Sequence, residues 1–229
     1  MSAEKLTLAY CINLDSRPDK WDKTEDAFEG SGITLQRFPG IQRPIGWHGC
    51  GAAHVAVARE AMRQGLPWIL VVEDDCLLTS GFAQRWPAIR DALMADDGWD
   101  IFLGGPTNVQ GPVTVREPFI EIERGFALHF YVLKACAYEK AIAWNPDRHG
   151  PIDVYYSDQF RVVTTSPILA TQDTSISDIR GHSVDYTNDF HEAQEALDKL
   201  LYAVLTRDGT LAMLFVSAVI IGILFARHA

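Results

Sequence analysis

The sequence predicts an α/β fold with a largely parallel central sheet flanked by helices. Strand-like and helix-like segments alternate through the first hundred residues in the order β-α-β-α-β-α-β, which is typical of a layered α/β sheet. The strand-like segments are short, nearly continuous apolar runs, as expected for strands covered on both faces. The chain has 229 residues, 48% hydrophobic and 22% charged, so it is long enough and apolar enough for one globular domain with a large core.

Most of these elements have a boundary signal. The first strand, 6–14, ends at a polar stretch, and Pro18 then opens a helix whose first turn is acidic. Gly30 and Gly32 close that helix, and Gly65 closes the helix of residues 51–64. The remaining predicted elements of this half are strands at 33–38, 68–72 and 99–103 and a helix from Thr79 or Ser80 to residue 94.

The second half of the chain is less regular. Residues 112–133 are predicted to form further strands, 134–144 a helix, 145–181 loops, and 188–205 an amphipathic helix. We therefore predict three units along the chain, which are a main domain over 1–187, an amphipathic linker helix over 188–206 and a C-terminal segment over 207–229.

The C-terminal segment predicts a transmembrane helix. Residues 211–226 (LAMLFVSAVIIGILFA) carry no charge, and a spanning helix needs ~20 apolar residues with a lower limit near ~17. We expect a single-pass membrane anchor here, with a buried core helix as the alternative. Arg207 and Arg227 flank the run on both sides and leave its orientation undetermined. The N-terminus lacks the pattern of a signal peptide, so the main domain is expected to be cytoplasmic.

The charge balance argues against one class of partner. The chain has 20 basic and 30 acidic residues, a formal net charge of −10, and no basic run, so we expect no nucleic-acid binding. Its cysteines have no zinc-finger or CxxC spacing, and we interpret them as small buried hydrophobes in a reducing compartment. They are Cys11, Cys50, Cys76 and Cys136.

An acidic run is the sharpest chemical signal in the sequence. Glu73, Asp74 and Asp75 directly follow the predicted strand 68–72, and ligands of open α/β sheets bind beyond the carboxyl ends of strands. Consecutive carboxylates repel one another unless a cation is present, and Mg²⁺ or Mn²⁺ is held by carboxylates together with substrate phosphates. The run therefore predicts a divalent-metal site for a nucleoside diphosphate ligand. A solvated acidic turn that caps the next helix is the alternative.

Other phosphate chemistries share this acidic pattern. A phosphatase or a phosphoryl-transfer enzyme can also use such carboxylates, so the run alone does not choose between them. The sequence contains no GxxxxGK[ST] loop, so it lacks the P-loop of nucleoside-triphosphate-binding enzymes. It also has no GxGxxG after the first strand, no GxSxG and no HExxH, so it lacks the signatures of dinucleotide-binding domains, serine hydrolases and zinc proteases.

Six blocks in order give a family resemblance. They are 11–17 (CINLDSR), 49–54 (GCGAAH), 69–75 (ILVVEDD), 125–133 (GFALHFYVL), 151–153 (PID), and Gln172 with 177–179 (SDI). In these blocks the chain resembles glycosyltransferase family 25, which includes lipo-oligosaccharide and collagen galactosyltransferases. Ala53 stands where the family has serine, and the acceptor region between 104 and 123 is short, so acceptor contacts are expected to differ.

The resemblance implies a GT-A-like single domain over 1–187 with glycosyltransferase activity. It implies inverting, Mn²⁺- or Mg²⁺-dependent transfer of a hexose, galactose or glucose, from a UDP-sugar to the hydroxyl of a glycan, lipid-linked or protein acceptor, as in lipopolysaccharide biosynthesis. Such transfer needs a metal for the leaving diphosphate, a carboxylate base and a dry pocket. Two alternatives stay open, a catalytically inactive relative that binds a nucleotide sugar or glycan, and an unrelated metal-dependent phosphohydrolase.

The expected metal and catalytic roles follow from the resemblance. Asp75 is the expected first metal ligand, with Glu73 or Asp74 as a second contact and His182 as a further ligand. Asp153 is the expected general base on the acceptor side, and the sequence does not separate it from its rivals. The rivals are Asp158 and Asp173.

The donor site is expected at the end of the first strand. Asn13, Asp15 and Arg17 are predicted to contact the nucleotide base, ribose and phosphate. His54 is a candidate donor to sugar or phosphate, with a structural histidine as the alternative. Trp47 is the tryptophan best placed to stack on a sugar or base.

Overall fold

The computed structural model describes residues 6–174 and 184–207. Its strands within these residues are β1 (Leu8–Asn13), β2 (Thr34–Pro39), β3 (Trp68–Glu73), β4 (Cys76–Leu78), β5 (Ile101–Leu103), β6 (Thr107–Arg116), β7 (Phe119–Phe126), β8 (Phe130–Lys134), β9 (Val162–Thr164) and β10 (Ala170–Gln172). Its helices are α1 (Pro18–Phe28), α2 (Gly46–Gln64), α3 (Phe82–Ala95), α4 (Tyr138–Ile142), α5 (Pro146–His149), α6 (Ile152–Gln159) and α7 (Thr187–Arg207), with a 3₁₀ turn at Ala135–Ala137.

Eight strands form one mixed sheet. Their order is β2-β1-β3-β8-β5-β9-β7-β6, and β4 pairs with β10 outside it. The pairs β1–β2, β1–β3 and β5–β9 are parallel, whereas the pairs β3–β8, β5–β8, β7–β9 and β6–β7 are antiparallel. The prediction of a largely parallel sheet is therefore wrong. Parallel neighbours need a crossover, usually a helix, and the chain between β5 and β8 contains none.

The predicted element order is confirmed in the first half and incomplete in the second. The β-α-β-α-β-α-β series appears as β1 to β5 with α1, α2 and α3, and the short β4 is added after β3. The region 145–181, predicted as loops, contains α5, α6, β9 and β10 in its described part. β9 has only three residues, too few for a periodic signal, although it lies in the sheet between β5 and β7.

The core lies on both faces of the sheet. Successive residues of β3 point to opposite faces, so Ile69 and Val71 enter one cluster and Leu70 and Val72 the other. α2 covers the first face, and α3, with its buried Trp86, covers the second. Helices on both faces explain why β3 is apolar without alternation, as the sequence showed.

The helix α7 packs on this domain. Its buried residues Phe190, Ala193, Leu197 and Leu201 recur at helical spacing and form its inward face. The predicted amphipathic helix is thus confirmed, while the division of the chain into three units stays a prediction.

The membrane prediction needs correction. Across residues 6–174 and 184–207, no helix combines the length and apolarity needed to cross a bilayer. The prediction of a C-terminal transmembrane helix, and of a membrane-anchored location, is therefore wrong for the part of the chain that the structure describes. The helix α7, which leads toward that segment, carries Glu192, Glu195 and Asp198 on its outer side. The uncharged run 211–226 itself lies outside the described residues.

Candidate functional site

The acidic run lies at a switch in strand order. β1 is followed along the chain by β2 on one side and then by β3 on the other, so the sheet opens between the carboxyl ends of β1 and β3. This is where open α/β sheets bind ligands. Asn13 ends β1 and Glu73 ends β3, which brings the predicted nucleotide and metal residues to one edge.

Glu73 is hydrogen-bonded to a buried histidine. His54 Nε2 lies 2.9 Å from Glu73 Oε1, and His54 Nδ1 lies 3.0 Å from the hydroxyl of Tyr131. His54 is fully buried. Burial on its own raises the pKa of Glu73, but the hydrogen bond and charge interaction with His54, aided by Lys20, bring it below its usual range. Glu73 is therefore ionised, and both ring nitrogens of His54 are engaged.

Asp74 is tied to the neighbouring strand and helix. Its Oδ2 accepts a 2.6 Å hydrogen bond from Asn13 Nδ2, and its Oδ1 lies 3.6 Å from Lys20 Nζ. Its backbone carbonyl accepts a hydrogen bond from the hydroxyl of Thr24. Asn13 also accepts from Arg37 Nε at 2.7 Å, so this asparagine links β1, β2 and the acidic run. Asp74 is thus partly neutralised and anchors the turn after β3.

Asp75 has a different environment. Gln172 Nε2 lies 3.4 Å from each Asp75 carboxylate oxygen and 3.5 Å from Glu73 Oε2, so one amide spans the two acids. Burial, with Glu73 and Asp74 nearby, raises the pKa of Asp75 to about 8. The pairing of β10 with β4 places Gln172 here, opposite Cys76. Asp75 is therefore a carboxylate whose negative charge the surrounding protein disfavours.

A cavity of about 720 Å³ opens beside Glu73. Four of the predicted residues line it, namely Trp47, His54, Glu73 and Asp153. Asp153 lies in the first turn of α6, where its Oδ1 accepts from the backbone N–H of Val154. The cavity therefore brings one predicted metal ligand, Glu73, together with the predicted base Asp153 and the predicted stacking residue Trp47.

Asp74 and Asp75 line a second, smaller pocket. It has a volume of about 140 Å³ and is also lined by Lys20 and Lys23. Lys23 pairs with the predicted rival base Asp173 at 2.5 Å, and the backbone N–H of Asp173 donates to the carbonyl of Asp75. Asp173 thus lies beside the metal candidates, whereas Asp153 faces the large cavity.

Other predicted residues lie apart from the cavity lining. Arg17 pairs with the exposed Asp19, and Asp15 is exposed near Arg37. Asp158, the other rival base, pairs with Arg124 at 2.6 Å and does not line the cavity. His182 and the block 177–179 lie outside the described residues.

Sequence reasoning missed several residues that shape the site. Cys50 lines the cavity with its Sγ 3.8 Å from Glu73 Oε1, although it was interpreted as a buried hydrophobe. Its spacing of four residues from His54 on one helix was the available signal. Asn108 and Ala127 both line the cavity with positive φ angles of 47° and 74°, a strained conformation for alanine in particular. No local pattern in the sequence marks such strain.

The carboxylates fit a hard divalent cation. Oxygen ligands from Glu73 and Asp75 suit Mn²⁺ or Mg²⁺, and the raised pKa of Asp75 shows that a positive charge would relieve this pair. The structure therefore offers Asp75 and Glu73 as the pair for such an ion, since Asp74 already binds Asn13 and Lys20.

Comparisons with known proteins give only distant likeness. No protein-family model matches the chain, and no curated protein matches it. Among solved structures it is similar to A197 from STIV, with 14% identity, a TM-score of 0.44, and coverage of 78% of this chain and 94% of that one.

The chain is also similar to two further solved structures. One is a glycosyltransferase involved in the glycosylation of the major capsid of PBCV-1, with 11% identity and a TM-score of 0.39, and the match covers 63% of this chain and 68% of that one. The other is a putative glucose-1-phosphate thymidylyltransferase from Bacillus anthracis in complex with a sucrose, with 12% identity and a TM-score of 0.42, and the match covers 81% of this chain and 75% of that one. At these values the likeness identifies neither a family nor an activity, and the resemblance to family 25 stays a prediction.

Proposed function

We propose that this chain is a divalent-metal-dependent glycosyltransferase that moves a hexose from a UDP-sugar to an acceptor hydroxyl with inversion. One observation carries the proposal. The partly buried carboxylates of Glu73 and Asp75, spanned by Gln172, stand at the strand-order switch, and Glu73 lines a cavity that Asp153 also lines. The proposal joins this geometry to the six sequence blocks that resemble family 25.

The donor diphosphate is assigned to the edge formed by β1 and β3. Asp75 and Glu73 would hold Mn²⁺ or Mg²⁺, which when bound neutralises the charge of the leaving diphosphate. Asn13 positions the acidic run by its 2.6 Å hydrogen bond to Asp74. His54 fixes the orientation of Glu73 rather than contacting phosphate, because both of its ring nitrogens are engaged.

The acceptor is assigned to the 720 Å³ cavity. Its size suits at least one sugar unit, since ligand pockets of ~300–1,000 Å³ hold small molecules. Trp47 supplies an aromatic face for a sugar ring. Asp153, which lines the same cavity as Glu73, accepts the proton from the acceptor hydroxyl as the new glycosidic bond forms and the UDP oxygen leaves the sugar carbon.

The test is UDP release by the full chain from a panel of UDP-sugars, with Mn²⁺ or with chelator. We expect metal-dependent release with one preferred sugar, and a loss of at least 10²-fold in Asp75→Asn. Asp91→Asn, on the exposed side of α3, is the matched control because it also replaces one carboxylate by its amide. Release from no UDP-sugar, with UDP still raising the melting temperature, favours the inactive binding relative. Phosphate release from simple esters favours a phosphohydrolase.

A further inference from the structure

A second set of possible metal ligands converges beside Glu73. The thiol of Cys50, the imidazole of His54 and the carboxylate of Glu73 have ligand atoms that all lie within 4.8 Å of one another. Cys50 and His54 are four residues apart on α2, so both project from the same face of the helix. Glu73 meets them from the end of β3. Three different ligand types therefore meet at one point.

Two glycines allow α2 to bring Cys50 to this point. A Cβ atom on Gly51 would lie 2.3 Å from the ring of Trp144, and one on Gly49 would collide with the backbone carbonyl of Ile41. Side chains at either position would push the start of α2 away from its neighbours. The helix segment that carries Cys50 is thus packed closely against Ile41 and Trp144, which fixes its position.

The histidine is already oriented as a metal ligand. Tyr131 holds His54 Nδ1 at 3.0 Å, which leaves Nε2 directed at Glu73. Metal-binding histidines commonly use their second ring nitrogen in this way, because the hydrogen bond fixes the ring and its tautomer. Without a metal, Nε2–H donates to the Glu73 carboxylate. A bound ion would displace this proton to solvent, after which Nδ1–H donates to the Tyr131 hydroxyl and Nε2 offers its lone pair to the ion.

The distances need only small adjustments to hold an ion. Tetrahedral Zn²⁺ with normal bond lengths places nitrogen and oxygen ligands about 3.3 Å apart and sulfur and oxygen ligands about 3.5 Å apart. The observed separations are 2.9 Å for His54 Nε2 to Glu73 Oε1 and 3.8 Å for Cys50 Sγ to the same oxygen. All three residues line the cavity.

We propose that Cys50, His54 and Glu73 form a binding site for a thiophilic transition metal ion, Zn²⁺ in the first instance, with an open fourth position toward the cavity. Thiolate and imidazole ligands select Zn²⁺ over the hard ions Mn²⁺ and Mg²⁺, which prefer oxygen. The two carboxylate oxygens of Glu73 serve different sites. Oε1 lies beside His54 and Cys50 and would bind the thiophilic ion, while Oε2 lies beside Gln172, which also contacts Asp75. The site does not rest on the proposed transferase activity.

Co²⁺ binding to the metal-free full chain tests the proposal. Co²⁺ replaces Zn²⁺ in such sites, and a cobalt–thiolate bond gives a charge-transfer band in the near ultraviolet that an all-oxygen site lacks. We expect this band to rise on titration and to vanish when Zn²⁺ is added. Cys50→Ser should remove the band, while Cys136→Ser, which changes an exposed cysteine, should leave it intact. Asp75→Asn should also retain it.

Two results overturn the proposal. One is a wild-type chain that gives no thiolate band, and the other is a band that persists unchanged in Cys50→Ser. X-ray absorption on the Zn²⁺-loaded wild-type chain gives an answer that needs no variant, because we expect one sulfur among the ligands and a shell of only oxygen and nitrogen refutes the site. Neither measurement contains a sugar nucleotide, so inactivity on every UDP-sugar leaves both results interpretable.

Discussion

Replacing Asp75 by asparagine should stabilise the metal-free protein. Burial, together with Glu73 and Asp74, raises the pKa of Asp75 from an ordinary 3.8 to about 8. The unfolded chain therefore loses this proton at lower pH than the folded chain does. Stability from this group is greatest below pH ~4 and declines as pH rises toward 8. In the asparagine variant, residue 75 carries no charge at any pH, so the free energy of unfolding does not fall with pH on its account.

The size of the gain follows from the geometry. Carboxylate oxygens of Asp75 and Glu73 both lie within 3.5 Å of Gln172 Nε2, so they are at most about 7 Å apart. Ionising Asp75 about 7 Å from the ionised Glu73 costs ~2 kcal/mol at an effective dielectric constant of ~20, so the folded chain keeps Asp75 largely protonated at pH 7.5 while the unfolded chain has released this proton. The asparagine variant avoids a stability loss of at least this order. For a chain of this length, ~2 kcal/mol corresponds to an increase of ~4–8 °C in melting temperature.

Thermal unfolding in chelator at pH 7.5 and pH 4.5 measures this effect. We expect Asp75→Asn to melt above the wild type at pH 7.5 and close to it at pH 4.5, with Asp91→Asn unchanged at both. A variant that melts below the wild type at pH 7.5 would refute the reasoning. So would an equal gain at both pH values, because a gain that comes from the raised pKa of Asp75 must shrink as the pH falls toward 3.8.

Three further outcomes are expected. Mn²⁺ should raise the melting temperature of the wild type and leave Asp75→Asn unmoved in differential scanning fluorimetry, since the ion relieves a repulsion that the variant lacks. Asp153→Asn should lower kcat by ~10²–10⁴-fold in a transfer assay with the preferred UDP-sugar and little change in donor KM, while Asp158→Asn, whose partner is Arg124, should not. Gly51→Ala should cost ~1–3 kcal/mol in chemical denaturation, because its Cβ would lie 2.3 Å from the Trp144 ring.

The sequence predicted the part of the fold that local patterns determine. β3 and its acidic run were found because an apolar strand followed directly by carboxylates is a local signal. The antiparallel insertion of β8 between β3 and β5 was missed, since it depends on pairing residues 130–134 with two distant segments. Strand direction in such pairs is a property of the whole chain path, and no window of residues contains it.

The site shows the same limit. Glu73 and Asp153 were predicted, and the structure places both on one cavity. Cys50 was interpreted as a hydrophobe because no second cysteine lay at a metal-binding spacing. The other two residues of the proposed metal site are a histidine one helical turn away and a glutamate 23 residues later, and only the fold brings the glutamate to them. Mixed ligand sets are hard to recognise for this reason.

The charge of the cavity constrains what can enter it. Its described lining includes the carboxylates of Glu73, Asp153 and Asp189 and no lysine or arginine. The nearby lysines line the smaller pocket, where Lys20 pairs with Asp74 and Lys23 with Asp173. A diphosphate that approached this lining alone would meet only like charge, so binding there requires a cation carried in with it or held beforehand by the acidic residues. A neutral sugar meets no such barrier, and the proposed function therefore assigns the donor phosphates to the edge formed by Glu73 and Asp75 and the acceptor to the cavity.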